Sequence, residues 1–224
     1  VQGSIVAMIT PFHEDGSVNF EVLTQLLERQ IAAGTDAILT LGTTGEYSTM
    51  SHEEDVSVVE HTIRVVNGRV PVIVGSGSNC TATQVEKSIQ YQDMGADALL
   101  LIAPYYNKAN PEGMYRHFAQ TADAVHIPCL LYNVPGRTGC SIPVSVVERL
   151  AKHPNIVGIK EDGTSIYTGT RGLYGTLRSN VNGKSEKTKA FLDGRTIERI
   201  VATSDTLCLE LSDGSIALSG DFTS

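Results

Sequence analysis

The chain has 224 residues, of which 41% are hydrophobic and 19% are charged, a balance typical of a globular domain with a sizeable core. Its formal net charge of -8 argues against nucleic acid and anionic membranes as partners. The four cysteines form no C-x-x-C pair, and we find neither a secretory signal nor an apolar run of the ~20 residues that a membrane helix needs. These features predict a soluble, reduced, cytoplasmic protein.

Short apolar runs alternate with helical patterns along residues 1–161. Strands are predicted at 3–10, 36–41, 70–75, 97–102, 128–132 and 156–160. Helices are predicted after each of the first five strands, and their start signals include a cap at Asn19, an S-x-x-E capping box at Ser51 and Glu54, and Pro143 in a first turn. Such strand–helix units predict a parallel α/β fold. A (β/α)₈ TIM barrel is favoured over a doubly wound sheet, because no G-x-G-x-x-G follows the first strand.

The sequence changes character after Glu161. Residues 162–175 have a loop-like composition, and short β-type runs follow at 190–192, 197–202, 206–211 and 216–218. Asp-Gly pairs at 193–194 and 213–214 are typical of hairpin turns. We therefore divide the chain into a barrel portion, 1–161, which carries the active site, and a divergent β-rich tail, 162–224.

Chemistry-bearing side chains follow several predicted strands. Lys160 closes the sixth strand, where burial would disfavour the ammonium form, lower the lysine pKa and make the amine a nucleophile. Thr43 and Thr44 lie between Gly42 and Gly45, a setting that suits anion binding. Taken singly, each of these residues is more often structural than catalytic.

Tyrosines and an arginine follow two further strands. Tyr105 and Tyr106 come after the fourth strand, and Tyr132 closes the fifth, five residues before Arg137. A tyrosine hydroxyl can relay protons, and an arginine can hold a carboxylate with two hydrogen bonds. The six histidines show no metal-binding spacing and are predicted to be surface or capping residues: His13, His52, His61, His117, His126 and His153. We predict no metal, no nucleotide and no other cofactor.

Four motifs together resemble those of the dihydrodipicolinate (4-hydroxy-tetrahydrodipicolinate) synthase family, class I pyruvate-dependent aldolases and lyases with a (β/α)₈ barrel. They are Leu-Gly-Thr-Thr-Gly-Glu at 41–46, Pro-Tyr-Tyr-Asn at 104–107, Tyr-Asn-Val-Pro-Gly-Arg-Thr at 132–138 and Gly-Ile-Lys-Glu at 158–161. The resemblance covers residues 1–161 only. It implies a homo-oligomeric lyase of lysine and diaminopimelate biosynthesis, a dimer or a tetramer.

The resemblance also implies residue roles. Lys160 would form an imine with pyruvate, and Tyr132, Thr43 and Tyr106 would relay protons, with Tyr106 reaching in from a neighbouring subunit. Thr44 and Gly45 would bind the carboxylate of pyruvate. Arg137 would bind the carboxylate of aspartate 4-semialdehyde, which favours this synthase over the related N-acetylneuraminate lyases and keto-deoxy sugar-acid aldolases.

A non-catalytic role is the alternative of a different class. Six parallel strands cannot close a barrel, and an open edge leaves backbone groups unpaired. The chain could then be a truncated or chimeric barrel fragment that serves as a scaffold. We expect residues 162–224 not to superpose on the family's seventh and eighth strands.

Overall fold

The computed structural model describes residues 3–161 in full, together with the backbone of four later strands. The strands of the first part are β1 (Ile5–Ala7), β2 (Ala37–Thr40), β3 (Val72–Gly75), β4 (Ala98–Ile102), β5 (Cys129–Asn133) and β6 (Ile156–Glu161). The helices are α1 (Phe20–Ala32), α2 (His52–Val66), α3 (Thr81–Asp93), α4 (Pro111–Ala124), α5 (Pro135–Thr138) and α6 (Val144–Leu150). The later strands are β7 (Ser165–Thr168), β8 (Ile197–Ala202), β9 (Thr206–Leu211) and β10 (Ile216–Gly220).

The first six strands form a parallel sheet in chain order, with a helix after each of β1 to β5. The predicted α/β fold of the TIM-barrel type is therefore confirmed through its sixth strand. β7 extends the sheet beyond β6, but it runs antiparallel, with Ser165 opposite Glu161. It covers the edge of β6 that six parallel strands alone would leave unpaired.

The last three described strands form a separate antiparallel sheet in the order β10, β9, β8. They lie where the sequence predicts β-type runs, within one or two residues at each end. The predicted run at 190–192 and the two Asp-Gly turns lie outside the described residues.

The two faces of the parallel sheet bury separate hydrophobic clusters. The outer cluster joins Ile38, Val74, Leu99, Leu131 and their alternating neighbours to the apolar faces of the helices. The inner cluster contains the intervening strand residues: Ala37, Leu39, Ile73, Ala98, Leu100, Ile102, Leu130 and Tyr132, with Ile5 and Ala7 packed against them. Because inner residues from β1 to β5 form one cluster, the sheet curls around its inner face as in a barrel.

Local sequence signals place the helix ends as predicted. The Asn19 side chain accepts a hydrogen bond from the Val22 amide at the start of α1, and Ser51 and Glu54 form the full capping box of α2. The four-residue helix α5 was not predicted; Pro135 in its first turn supplies a helical φ and needs no N–H partner. None of the helices in the described part of the chain is long and apolar enough to cross a membrane.

Candidate active site

A β-bulge in β6 turns Lys160 towards the inner face of the sheet. Cys129 pairs with Ile156, but the next residue of β5, Leu130, pairs with Gly158, so Val157 is the extra residue. Ile156 belongs to the outer cluster. Plain alternation would put Lys160, four residues later, on that same outer face. The bulge shifts the alternation by one residue, so Lys160 shares the inner face with Tyr132.

The side chains of Lys160 and Tyr132 are in contact. The two residues are direct partners in the register of β5 and β6, and the Lys160 Nζ lies 3.8 Å from the centroid of the Tyr132 ring. This distance is that of a cation–π interaction. Tyr132 is only 6% exposed, whereas Lys160 is half-buried. The pair thus places an amine beside a phenol at the carboxyl end of the sheet, where barrel enzymes carry their active sites.

The loop after β2 carries the predicted anion-binding residues in a 3₁₀ turn, Thr43–Gly45. Thr43 is half-buried, Thr44 is exposed, and neither hydroxyl makes a hydrogen bond within the described residues. Thr10 stabilises the turn, because its buried hydroxyl donates a hydrogen bond to the Gly45 carbonyl at 2.7 Å. The two threonine hydroxyls therefore remain available to a bound anion.

Tyr47, which the sequence analysis did not single out, follows the two threonines in the same loop and is half-buried. Burial, reinforced by the nearby side chains of Tyr105, Asp55 and Tyr132, raises the pKa of Tyr47. Its hydroxyl therefore stays protonated well above neutral pH. The loop after β2 thus carries a half-buried, protonated phenol in addition to the two threonine hydroxyls. A short stretch, Glu-Tyr-Ser, just after the threonines was the only sequence signal for it.

Two predicted site residues lie on the surface at the same end of the sheet. Tyr106, after β4, is 90% exposed, and its backbone has a positive φ of 73°. Arg137 is exposed on α5, the helix that directly follows β5. The Tyr106 amide donates to the Thr138 carbonyl at 3.4 Å, so the two loops are adjacent. Within this chain the structure brings neither side chain into contact with Lys160 among the contacts it describes.

Asn133 is a further residue that the sequence analysis missed. Its side-chain amide donates to Glu161 Oε2 at 2.9 Å, and its Oδ1 accepts the Ile142 amide at 2.9 Å. Asn133 and Glu161 are register partners one position beyond Tyr132 and Lys160. Asn133 therefore ties together the strand ends that carry the amine and the phenol. Its place directly after Tyr132 was the available signal.

One histidine prediction is wrong. His117 is neither a surface nor a capping residue: it is 3% exposed, and both ring nitrogens have side-chain partners. It lies on the buried face of α4, three residues after Met114 and next to Phe118. This helical spacing of apolar neighbours was visible in the sequence and predicts burial.

The described residues contain no group of three or more His, Cys, Asp or Glu side chains placed to hold a metal ion. What the site does contain is an amine against a buried phenol, two hydroxyls beside a glycine-flanked turn, and an arginine at the rim. Such a set can form a carbonyl adduct, move protons and bind carboxylates.

Comparison with known proteins identifies the family. The sequence model of the dihydrodipicolinate synthetase family matches residues 1–179, which includes all four motifs and extends into the tail. The chain belongs to this family. The match agrees with the parallel sheet, with the motifs at its carboxyl end, and with the lysine that closes β6.

Family members of known name are similar over much of the chain. The 4-hydroxy-tetrahydrodipicolinate synthase of Geobacter metallireducens is 55% identical over 160 residues, 71% of this chain and 55% of that protein. The synthase of Acidiphilium cryptum is 41% identical over 217 residues, 93% of this chain and 73% of that protein. The crystal structure of the chloride-inhibited dihydrodipicolinate synthase of Acinetobacter baumannii, complexed with pyruvate, has a TM-score of 0.71 at 44% identity, covering 86% of this chain and 60% of that one.

The chain spans only part of the length of these relatives. It spans only 55% of the length of the Geobacter relative, although an alignment to the Acidiphilium relative continues into the tail.

Proposed function

We propose that this protein is a lyase that condenses pyruvate with aspartate 4-semialdehyde to form 4-hydroxy-tetrahydrodipicolinate, a step of lysine and diaminopimelate biosynthesis. The observation that carries the proposal is the contact between Lys160 and Tyr132, with Nζ 3.8 Å from the ring centroid on the inner face of the sheet. A lysine turned inward by a bulge and held against a buried tyrosine suits covalent catalysis. The names of the relatives favour this synthase over the sialic acid lyases and sugar-acid aldolases.

The Lys160 amine starts the reaction. Its Nζ attacks the ketone carbon of pyruvate, water leaves, and an imine forms. Loss of a proton from the pyruvate methyl group then gives an enamine. The enamine carbon bonds to the aldehyde carbon of the semialdehyde, whose oxygen takes up a proton. The amino group of the semialdehyde next attacks the imine carbon, which closes the ring and frees Lys160. The reaction needs no redox step, and the proposal includes no metal or other cofactor.

The remaining residues move protons and bind carboxylates. Tyr132 delivers and removes protons at the imine, because its ring lies against Nζ, and Thr43 with Tyr106 continues the relay. Thr44 and Gly45 bind the carboxylate of pyruvate at the turn after β2. Arg137 binds the carboxylate of the semialdehyde at the rim, where a guanidinium can make two parallel hydrogen bonds.

A homo-oligomer, a dimer or a tetramer, is part of the proposal. The Tyr106 side chain is 90% exposed, so it completes no site within its own subunit. We assign it to the site of a neighbouring subunit, which makes the relay dependent on assembly.

Borohydride trapping tests the function. Wild-type protein incubated with pyruvate and sodium borohydride should gain the mass of one reduced pyruvyl group, and peptide mapping should place it on Lys160. Lys160→Arg keeps the positive charge but should give no adduct and lower turnover by at least about 10³-fold. Consumption of aspartate semialdehyde, measured against N-acetylneuraminate, then identifies the second substrate.

The outcomes separate the two classes of function. An adduct on Lys160 with semialdehyde turnover supports the synthase. An absent adduct in a folded wild-type protein would favour a non-catalytic barrel fragment. An adduct that reacts with N-acetylneuraminate instead would move the protein to the related lyases.

A further inference from the structure

The loop after β4 has a strained backbone at Tyr106, and packing of the Tyr106 side chain does not stabilise it. Tyr106 has a φ of 73° and Lys108 a φ of 50°, both in the left-handed region that disfavours residues other than glycine. The Tyr106 side chain is 90% exposed and so makes almost no packing contacts within the subunit. The surrounding structure must therefore hold this loop in place.

Asn79, in the loop between β3 and α3, holds both sides of Tyr106. Its side-chain Nδ2 donates to the Tyr105 carbonyl at 3.3 Å, and its own carbonyl accepts from Asn107 Nδ2 at 3.2 Å. Asn79 is thus hydrogen-bonded to the residue before Tyr106 and to the residue after it. A third, from the Tyr106 amide to Thr138, links the loop to α5.

A buried network between α3 and α4 fixes the loop that carries Asn79. Gln84 donates through Nε2 to the Thr121 hydroxyl at 2.9 Å, so its Oε1 faces the Ser78 amide at 3.3 Å and His117 Nε2 at 3.1 Å. Because Gln84 Oε1 can only accept hydrogen bonds, the His117 Nε2 beside it must carry a proton and donate. The other ring nitrogen, Nδ1, then accepts from the Thr81 hydroxyl at 2.8 Å.

The neutral form of His117 fits this network. Burial lowers the pKa of His117 to about 4, so the ring is uncharged at neutral pH. A neutral ring has one donor and one acceptor, which is what Gln84 and Thr81 require. Gln84 and His117 are 0% and 3% exposed, and the side-chain hydrogen bonds described for them go to one another and to Ser78, Thr81 and Thr121. The pair therefore acts on the loop through the Ser78 amide, which donates to Gln84 Oε1.

We propose that Asn79 and the His117–Gln84 pair are positioning residues for Tyr106: the buried pair fixes the loop after β3, and Asn79 transmits that order to the loop after β4. The inference rests on the proposed function, because it assigns the ordered tyrosine to the proton relay of a neighbouring subunit. According to this inference, turnover also depends on two buried residues, Gln84 on α3 and His117 on α4.

Hydrogen exchange read by mass spectrometry tests the structural part on the full chain. Asn79→Ala should speed amide exchange in the peptide that contains residues 104–108 by at least about tenfold, since the variant removes the Nδ2 bond to Tyr105 and loosens the loop. His117→Ala should do the same, and His117→Gln, which keeps a donor near Nε2, should restore part of the protection. Asn67→Gly is the matched control: it removes an exposed amide side chain at the other end of the sheet, where the φ of 47° suits glycine, and it should leave exchange in 104–108 unchanged.

Kinetics test the functional part. Asn79→Ala should lower kcat about tenfold or more while the KM for pyruvate and the borohydride adduct on Lys160 stay at wild-type levels. Wild-type exchange rates at 104–108 in a folded Asn79→Ala variant would overturn the inference, as would a loss of adduct in proportion to the loss of turnover. Failure of wild-type protein to form the adduct would instead overturn the proposed function, whatever the exchange data show. Asn79 lies outside the buried network, so its variant is informative even if His117→Ala does not fold.

Discussion

The two ends of the parallel sheet use polar side chains in opposite ways. At the amino end, Asp36 Oδ2 accepts the Ser4 amide at 2.6 Å and Asp97 Oδ2 accepts the Val72 amide at 2.8 Å. Asn155 donates to the carbonyls that end α4, at 3.0 and 2.7 Å. All three side chains are committed to the backbone and so stabilise the start of a neighbouring strand or the end of a helix.

At the carboxyl end, the side chains predicted to carry chemistry face one another or the solvent. Lys160 lies over the Tyr132 ring, Tyr106 is 90% exposed, and the Thr43 and Thr44 hydroxyls have no hydrogen-bond partner in the described part of the chain. The two ends therefore differ in whether the backbone has already used the polar groups of the side chains.

After Lys160→Arg, the largest expected effect is that of Tyr132→Phe. The phenyl ring preserves the contact with Lys160 Nζ but removes the hydroxyl, so the adduct should still form while kcat falls by about 10²- to 10⁴-fold. Tyr115→Phe is the matched control, because the Tyr115 ring also carries a cation, Arg149, at 3.7 Å but lies between α4 and α6. Equal losses in the two variants would contradict a proton-transfer role for Tyr132.

A pH dependence should follow from His117, a polar group at the carboxyl end that is committed to structure. Its folded pKa of about 4 lies below its unfolded value of 6.5, so the unfolded state binds more protons between these values. Stability should therefore fall as the pH drops from 6.5 to 4, by about 3 kcal/mol at most. Urea midpoints of wild type and His117→Gln measure this. The slope should be weaker in the variant, and identical slopes would contradict the assignment.

Arg137→Lys should have a smaller effect. A lysine keeps the charge but cannot make two parallel hydrogen bonds, so the KM for aspartate semialdehyde should rise about 10- to 100-fold with little change for pyruvate. Arg29→Lys, in the exposed last turn of α1, is the control and should change neither constant. An equal rise in the KM for pyruvate would contradict the proposal that Arg137 binds the carboxylate of the semialdehyde.

The smallest effect, on stability alone, is expected at the amino end. Asp97→Ala leaves the buried Val72 amide without its partner and should cost about 1–2 kcal/mol, whereas Asp36→Ala at the exposed Ser4 should cost less. Denaturant midpoints measure both. Turnover per folded molecule should not change in either variant, and a specific loss of kcat would break the contrast between the two ends.

Local chemistry explains the parts of the fold that could be predicted from sequence. Buried parallel strands appear as short apolar runs, and the Asn19 cap and the Ser51 capping box start helices where expected, because both depend on residues within four positions. The sequence also contains two similar segments, Gly-Thr-Asp-Ala at 34–37 and Gly-Ala-Asp-Ala at 95–98, and in both the aspartate accepts a backbone amide at the start of the adjacent strand, β1 or β3.

Contacts between distant segments explain what could not be predicted. The environment of His117 depends on Thr81 and Gln84, which are more than thirty positions away in the chain. Asn133 likewise donates to Glu161 on the neighbouring strand. The antiparallel direction of β7 likewise follows from its pairing with β6 and not from its composition.

The sequence by itself determined the parallel α/β fold, the strand ends at which Thr43, Tyr106, Tyr132 and Arg137 lie, and the lysine that closes β6. Only the tertiary structure decided which way that lysine points. Counted from Ile156, strict alternation puts Lys160 among the helices, and one unpaired residue at Val157 reverses the assignment. A bulge exists only in the pairing of two strands, so no property of residues 156–161 alone could reveal it.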